Sequence, residues 1–189
     1  MTTTILRAAD RIATPWKNGG GVTREIAVWP PEAGLDDFDW RISMAEVREA
    51  GAFSLFPDVD RCLTVIEGCL RLTFDDDTSV SLDAQSEPWA FPGDRTCHGQ
   101  PLDGPVLDLN VMSRRGQFRS QVKRVSDTMW RPTGVASLLI ALAPLTIVDD
   151  RASGGIRLVP LDAWLCHDPA TPIDLAINGP ALGIDILAL

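Results

Sequence analysis

Short apolar stretches alternate along the chain with frequent glycine, proline and aspartate residues. Within most stretches polar and apolar residues alternate, as they do in strands that bury one face. No stretch has a long, clean helical period. The pattern predicts an all-β fold of short antiparallel strands joined by tight turns. The predicted strands span residues 22–29, 40–47, 61–67, 70–74, 80–83, 106–112, 136–141, 145–148, 155–159, 173–177 and 181–187.

These strands fall into two groups separated by the less apolar segment 117–134. A chain of 189 residues suits one compact domain or two small barrel halves. We therefore predict a single compact chain over 1–189 with two barrel-like halves, 1–116 and 135–189, joined by residues 117–134.

The charge balance limits the kinds of partner. The chain carries 17 Lys and Arg against 26 Asp and Glu, a net charge of −9. Nucleic acid and anionic membranes repel such a chain, so neither is an expected partner. The N-terminus lacks a signal-peptide core, and the longest apolar run, 135–145, is too short to span a bilayer. We expect a cytoplasmic protein.

Metal-binding residue types are scarce. His98 and His167 are the only histidines, and none of the four cysteines forms a Cys-x-x-Cys pair. A transition-metal site of the facial-triad kind needs clustered imidazoles with a carboxylate. We therefore expect no metal and no cofactor. The acidic turn Asp58-Val59-Asp60 leaves open weak binding of a hard cation, or a plain solvated turn.

A glycine-rich turn opens the first predicted strand at residues 15–25, with sequence PWKNGGGVTRE. Three consecutive glycines let backbone N–H groups approach a ligand and form an anion-binding nest. Lys17 adds a charge, and Asn18 adds a donor and an acceptor. The run lacks the Gly-Lys-Ser/Thr ending of a phosphate loop. A flexible turn with no ligand remains the alternative.

Two arginines share a strand face with apolar residues. Strand alternation puts Arg24 on the face of Val22, Ile26 and Val28, and it puts Arg61 beside Leu63 and Val65. A buried guanidinium needs a partner, either a protein carboxylate or an anionic ligand. Structural salt bridges remain possible, because four acids are available: Glu25, Asp58, Asp60 and Asp108.

The predicted strand 106–112 presents two different faces. Leu107, Leu109 and Val111 form an apolar face, whereas Asp108 and Asn110 lie on the other. If that second face lines a barrel interior, it presents ligand-binding groups; a solvated sheet face is the alternative. The candidate ligand-binding residues are Lys17, Asn18, Gly19, Gly20, Thr23, Arg24, Glu25, Arg41, Ser43, Arg61, Asp108 and Asn110.

These blocks resemble the HutD family, which includes the Ves proteins. The matching stretches are 16–26, 39–45, 51–57 and 60–61, then 102–106 with 108, 110–112 and 114–115, and together they cover about the first two-thirds of the chain. The resemblance implies a bicupin of the cupin superfamily, with jelly-roll halves. It also implies a role in moderating histidine utilisation by sensing an anionic intermediate such as urocanate or N-formylglutamate. No catalytic reaction is established for the family.

The residues are consistent with a small carboxylate ligand, because arginine clamps a carboxylate in bidentate fashion. Trp16 can cover a planar ring. Two other functions stay open. One is a metal-free isomerase, lyase or hydrolase that uses Glu25 or Asp108 as base, which a deep carboxylate of raised pKa would favour. The other is an interaction protein with a vestigial pocket, which a closed, charge-neutralised pocket would favour.

Overall fold

The computed structural model describes residues 2–149, 154–167 and 173–189. Within these ranges the regular structure is β-strand apart from one turn of 3-10 helix at Ala8–Asp10, so the all-β prediction is confirmed. No helix in this part of the chain is long and apolar enough to cross a membrane. The strands are β1 Thr2–Leu6, β2 Ala13–Pro15, β3 Gly21–Trp29, β4 Trp40–Val47, β5 Gly51–Ala52, β6 Val59–Glu67, β7 Cys69–Phe74, β8 Ser79–Asp83, β9 Trp89–Pro92, β10 Cys97–Pro101, β11 Val106–Arg114, β12 Phe118–Val125, β13 Thr128–Trp130, β14 Ala136–Ala141, β15 Leu145–Asp149, β16 Gly155–Leu158, β17 Ala163–His167, β18 Leu175–Asn178 and β19 Ala181–Ala188.

The chain divides into two compact units. The N-terminal unit is Ile12–Phe118, and the C-terminal unit combines Met1–Arg11 with Arg119–Leu189. This division differs from the predicted halves at both ends. The predicted joining segment 117–134 contains β12 and β13, which lie in sheets of the C-terminal unit. Strand β12 alternates between half-buried and exposed residues, and this half-polar pattern made it resemble a connection.

Two sheets form the N-terminal unit. One has the strand order β2-β3-β4-β11-β6-β9, and the other has the order β5-β10-β7-β8. Every pairing recorded between these strands is antiparallel, as the alternating pattern requires. Apolar side chains from both sheets share one core cluster, among them Val47, Leu63, Leu72 and Phe91. The larger sheet carries many of the side chains that line the cavity described below.

The C-terminal unit is built in the same way. Its sheets have the orders β1-β17-β14-β19-β12 and β13-β18-β15-β16. Trp130, Leu139, Ile147 and Trp164 belong to its core, and the two tryptophan rings meet edge to face at 6.1 Å. Strand β1 completes this unit by pairing with β17.

Candidate functional site

A cavity of about 690 Å³ lies within the N-terminal unit. Side chains from β3, β4, β6 and β11 form its walls, and loop residues around Gly34 and Ser54 complete its lining. Cavities of this size accommodate small-molecule ligands. Nine of the twelve predicted site residues line it: Lys17, Asn18, Thr23, Glu25, Arg41, Ser43, Arg61, Asp108 and Asn110.

The register of three central strands explains why these residues meet. Strand β11 lies between β4 and β6, and its inward side chains alternate along the strand. Three cross-strand rows follow one another along β11: Ala45-Asp108-Val65, Ser43-Asn110-Leu63 and Arg41-Met112-Arg61. Of the two alternatives left open for the Asp108 and Asn110 face, the structure has the one in which that face lines an interior cavity.

Arg61 is a buried cation enclosed by aromatic rings. Its exposed fraction is 5%, and its guanidinium carbon lies 5.1, 5.7 and 5.2 Å from the ring centroids of Phe53, Phe56 and Phe91. Its Nε donates to Asn110 Oδ1 and its Nη1 to the Ser54 carbonyl, both over a long 3.4 Å. Burial lowers the pKa of Arg61 to about 10, against the opposing charge of Asp108.

The guanidinium of Arg61 has donors to spare. A guanidinium has five N–H donors, and these two long hydrogen bonds use only two of them. Arg61 forms no ion pair with any described residue. A buried cation in this state is costly unless something else neutralises it. The cavity therefore contains an unsatisfied positive group deep in its wall.

Asp108 is the deepest acid of the cavity, with an exposed fraction of 1%. Neither of its carboxyl oxygens has a hydrogen-bond partner among the described residues. Burial raises the pKa of Asp108 to about 7, and the positive charge of Arg61 opposes that rise. Burial therefore brings the pKa of this carboxyl close to neutral pH.

A second, shallower arginine has its own partner. Arg41 Nε donates to Glu25 Oε2 at 2.8 Å, and its Nη1 donates to Ser43 Oγ at 3.4 Å. The two charged side chains are 13% and 43% exposed, so the pair lies nearer the mouth than Asp108 does. Because Glu25 already neutralises Arg41, Arg61 is the buried arginine of the cavity wall that has no ion pair among the described residues.

The glycine turn does not form the predicted anion nest. The N–H of Gly19 donates to the Trp16 carbonyl at 3.0 Å, and the N–H of Gly20 donates to Asn18 Oδ1 at 3.1 Å. Both donors are thus consumed within the turn, and neither glycine lines the cavity. The turn instead positions Trp16, whose Nε1 donates to Thr23 Oγ1 at 2.7 Å. Trp16 and Lys17 line the cavity.

The predicted inward orientation of Arg24 is wrong. Its side chain is 39% exposed, lies 3.9 Å from Glu46 and does not line the cavity. The cause is a bulge in β3 between Glu25 and Ala27, where the register with β4 shifts. Before the bulge the inward positions are odd-numbered, as in Glu25; after it they are even-numbered, since Val28 packs beside Met112.

Sequence reasoning missed the aromatic cover of Arg61. Phe53, Ser54 and Phe56 follow the short strand β5 and line the cavity. Arg114 braces this region by donating to the carbonyls of Pro57 and Phe38 at 3.3 and 2.8 Å. The sequence contained a signal for this cover: Phe53 and Phe56 come just before Arg61, which shares a strand face with apolar residues.

A metal site finds little support in the side chains. The described part of the chain contains no cluster of three or more His, Cys, Asp or Glu residues able to hold a metal ion. Asp60, part of the acidic turn, is paired with Arg115 at 2.9 Å. The absence of a metal cofactor stays a prediction.

Solved structures that superpose on this chain define its fold class. The fold is that of cupin-like β proteins: oxalate decarboxylase from Lactobacillus farciminis superposes with a TM-score of 0.63 over 96% of this chain and 85% of its own, at 9% identity. HutD from Pseudomonas fluorescens SBW25 superposes with a TM-score of 0.88 over the whole of both chains, at 28% identity.

The chain belongs to the HutD family, whose model matches residues 8–182. Protein Ves from Cronobacter sakazakii is 33% identical over 81% of this chain and 74% of its own length. An uncharacterised 21.2 kDa protein in the hutC 3′ region of Pseudomonas putida is 34% identical over 74% of this chain and 73% of its own. The family assignment made from the sequence is confirmed.

Proposed function

We propose that this protein binds a small carboxylate in the cavity of the N-terminal unit and uses that binding to moderate histidine utilisation. The observation that carries the proposal is Arg61, a buried guanidinium with unused donors in the wall of an internal cavity. A planar carboxylate matches the guanidinium fork and supplies the missing negative charge. The protein acts in the cytoplasm, needs no metal, and its two units form a bicupin.

Urocanate and N-formylglutamate are the proposed ligands, since both carry carboxylates and belong to the pathway for which the family is named. Trp16 provides a flat surface at the mouth for a ring or an amide group. Asn110, which accepts only one long bond from Arg61, offers its amide N–H₂ to a second polar group. A vestigial pocket is disfavoured because the cavity contains an uncompensated charge.

A thermal-shift screen tests this proposal. A ligand that binds only the native state raises the melting temperature, because at a hundredfold excess over Kd it stabilises that state by about 2.7 kcal/mol. We expect one of these intermediates to raise the melting temperature of the parent and not that of Arg61→Ala. Arg24→Ala is the matched control, because it removes an arginine outside the cavity. Equal shifts in the parent and in Arg61→Ala would exclude Arg61 as the clamp.

An enzymatic function is the second candidate, and Asp108 favours it. A deep carboxylate with a pKa of about 7 is suited to general acid or base catalysis. Glu25 is less suited, because it is half exposed and paired with Arg41. Incubation of each intermediate with the protein, followed by NMR, distinguishes the two functions. Turnover that Asp108→Asn abolishes would establish an isomerase, lyase or hydrolase.

A further inference from the structure

The buried carboxyl group of Asp108 has little to stabilise its negative charge, and a second carboxylate bound in the cavity would stabilise that charge even less. Its carboxyl group is buried, and both oxygens lack hydrogen-bond partners among the residues described. Across the strands it faces Ala45 and Val65, whose side chains offer no hydrogen bond. An ionised carboxylate in such surroundings needs a nearby positive charge.

The charged and titratable groups around Asp108 identify that positive charge. Arg61 approaches from β6, and Cys97 from β10 has an electrostatic interaction with Arg61; burial raises the pKa of this thiol. Glu25 from β3 and Arg41 from β4 neutralise each other nearer the mouth. Arg61 is thus the charge that favours ionisation of Asp108.

A ligand carboxylate at Arg61 would remove that support. The guanidinium would then have two anions to neutralise, in a space largely screened from water. Two carboxylates that share such a space resist ionising together, so one of them takes up a proton. The ligand's contact with Arg61 keeps the ligand ionised, whereas no described residue donates a hydrogen bond that would hold the charge of Asp108.

We propose that the cavity takes up its carboxylate ligand together with one proton from solvent, which Asp108 holds in the complex. This inference rests on the proposed binding function and adds its regulation: occupancy falls as pH rises. No bond of the ligand breaks, and the proton returns to solvent when the ligand leaves. A protonated Asp108 is also a donor rather than an acceptor inside the cavity.

The sign of the pH dependence follows from the shift of Asp108. At pH values below the Asp108 pKa of about 7, Asp108 of the free protein already holds its proton, so the affinity for the ligand does not change with pH. Above it the affinity falls by up to tenfold per pH unit, because the proton must come from solvent. Between about pH 6 and about pH 8.5 we expect roughly a 30-fold loss of affinity.

Calorimetry with N-formylglutamate tests this proposal, because both carboxylates of that probe stay ionised across this range. Titrations at about pH 8 in Hepes and in Tris, which differ in ionisation enthalpy, count the protons taken up. We expect about one proton for the parent and none for Asp108→Asn, whose affinity should not change with pH. Glu25→Gln, which removes the other cavity carboxylate, should still take up about one proton.

Binding without proton uptake would overturn this inference and leave the binding function intact. Proton uptake that persists in Asp108→Asn would also overturn it, because another group would hold the proton. If Asp108→Asn does not fold, the counts on the parent and on Glu25→Gln decide, because uptake that is lost in Glu25→Gln would assign the proton to Glu25 and overturn the inference. No binding at any pH would instead overturn the proposed function itself.

Discussion

Asp108 should make the stability of the ligand-free protein fall as pH rises through the weakly acidic range. The pKa of the carboxyl is raised from 3.8 to about 7, so the folded state binds the proton more tightly than the unfolded state. Between these values the folded chain holds more protons, and the free energy of unfolding decreases with pH. The loss of unfolding free energy caused by Asp108 is absent below about pH 4 and complete above about pH 7.

The shift sets the size of this effect. About 3 pKa units at about 1.4 kcal/mol per unit give a penalty of about 4 kcal/mol at neutral pH. Asp108→Asn keeps the shape of the side chain and removes the titration. Urea unfolding of parent and variant at several pH values measures the difference, in which contributions from the other titrating groups cancel.

We expect the difference in unfolding free energy, variant minus parent, to rise by up to about 4 kcal/mol between pH 4 and pH 8. Asp103→Asn is the control, an exposed aspartate in the turn before the same strand, and should change stability by less than about 0.5 kcal/mol. A difference for Asp108→Asn that stays constant across this range would refute the reasoning.

Four further substitutions test the geometry of the cavity. Arg61→Ala should weaken carboxylate binding by about 2–5 kcal/mol in calorimetry, and Arg61→Lys should restore only part of it, since the planar fork is lost. Arg24→Ala should bind the carboxylate as tightly as the parent does. A comparable loss of affinity in Arg24→Ala would show that the binding site lies elsewhere. Gly99→Ala would bring a methyl group within 2.4 Å of the Phe53 ring, so we expect a lower affinity and a lower melting temperature as that ring moves off Arg61. Unchanged binding by Gly99→Ala would contradict a role for the ring.

The alternation of polar and apolar residues predicted the all-β fold and pointed to the side chains of β6 and β11 that line the cavity. Strands β4 and β14 have the predicted bounds, and β11 extends past its predicted end by two residues. Arg61, Asp108 and Asn110 were found because their strands keep regular alternation beside the cavity. The polar face of β11 stands out against its apolar face, so its orientation was readable from one strand alone.

Long-range and irregular features were not readable. The bulge in β3 depends on pairing with β4, so alternation placed Arg24 on the wrong face. The glycine donors of the turn were assigned to a ligand, but Asn18 and the Trp16 carbonyl consume them. Of the three phenylalanines around Arg61, Phe91 comes from β9, thirty residues along the chain, and only the fold brings it there. Strand β12 was assigned to a connection because its edge position leaves half of its residues polar.

The most direct test of a carboxylate clamp at Arg61 is an NMR titration of the arginine Nε–Hε groups with N-formylglutamate. Comparison with Arg61→Lys identifies the Arg61 signal, which lies among three aromatic rings and should be well dispersed. The account predicts that this signal moves on binding while that of Arg24 stays in place. Ligand binding that leaves the Arg61 signal unmoved would contradict it.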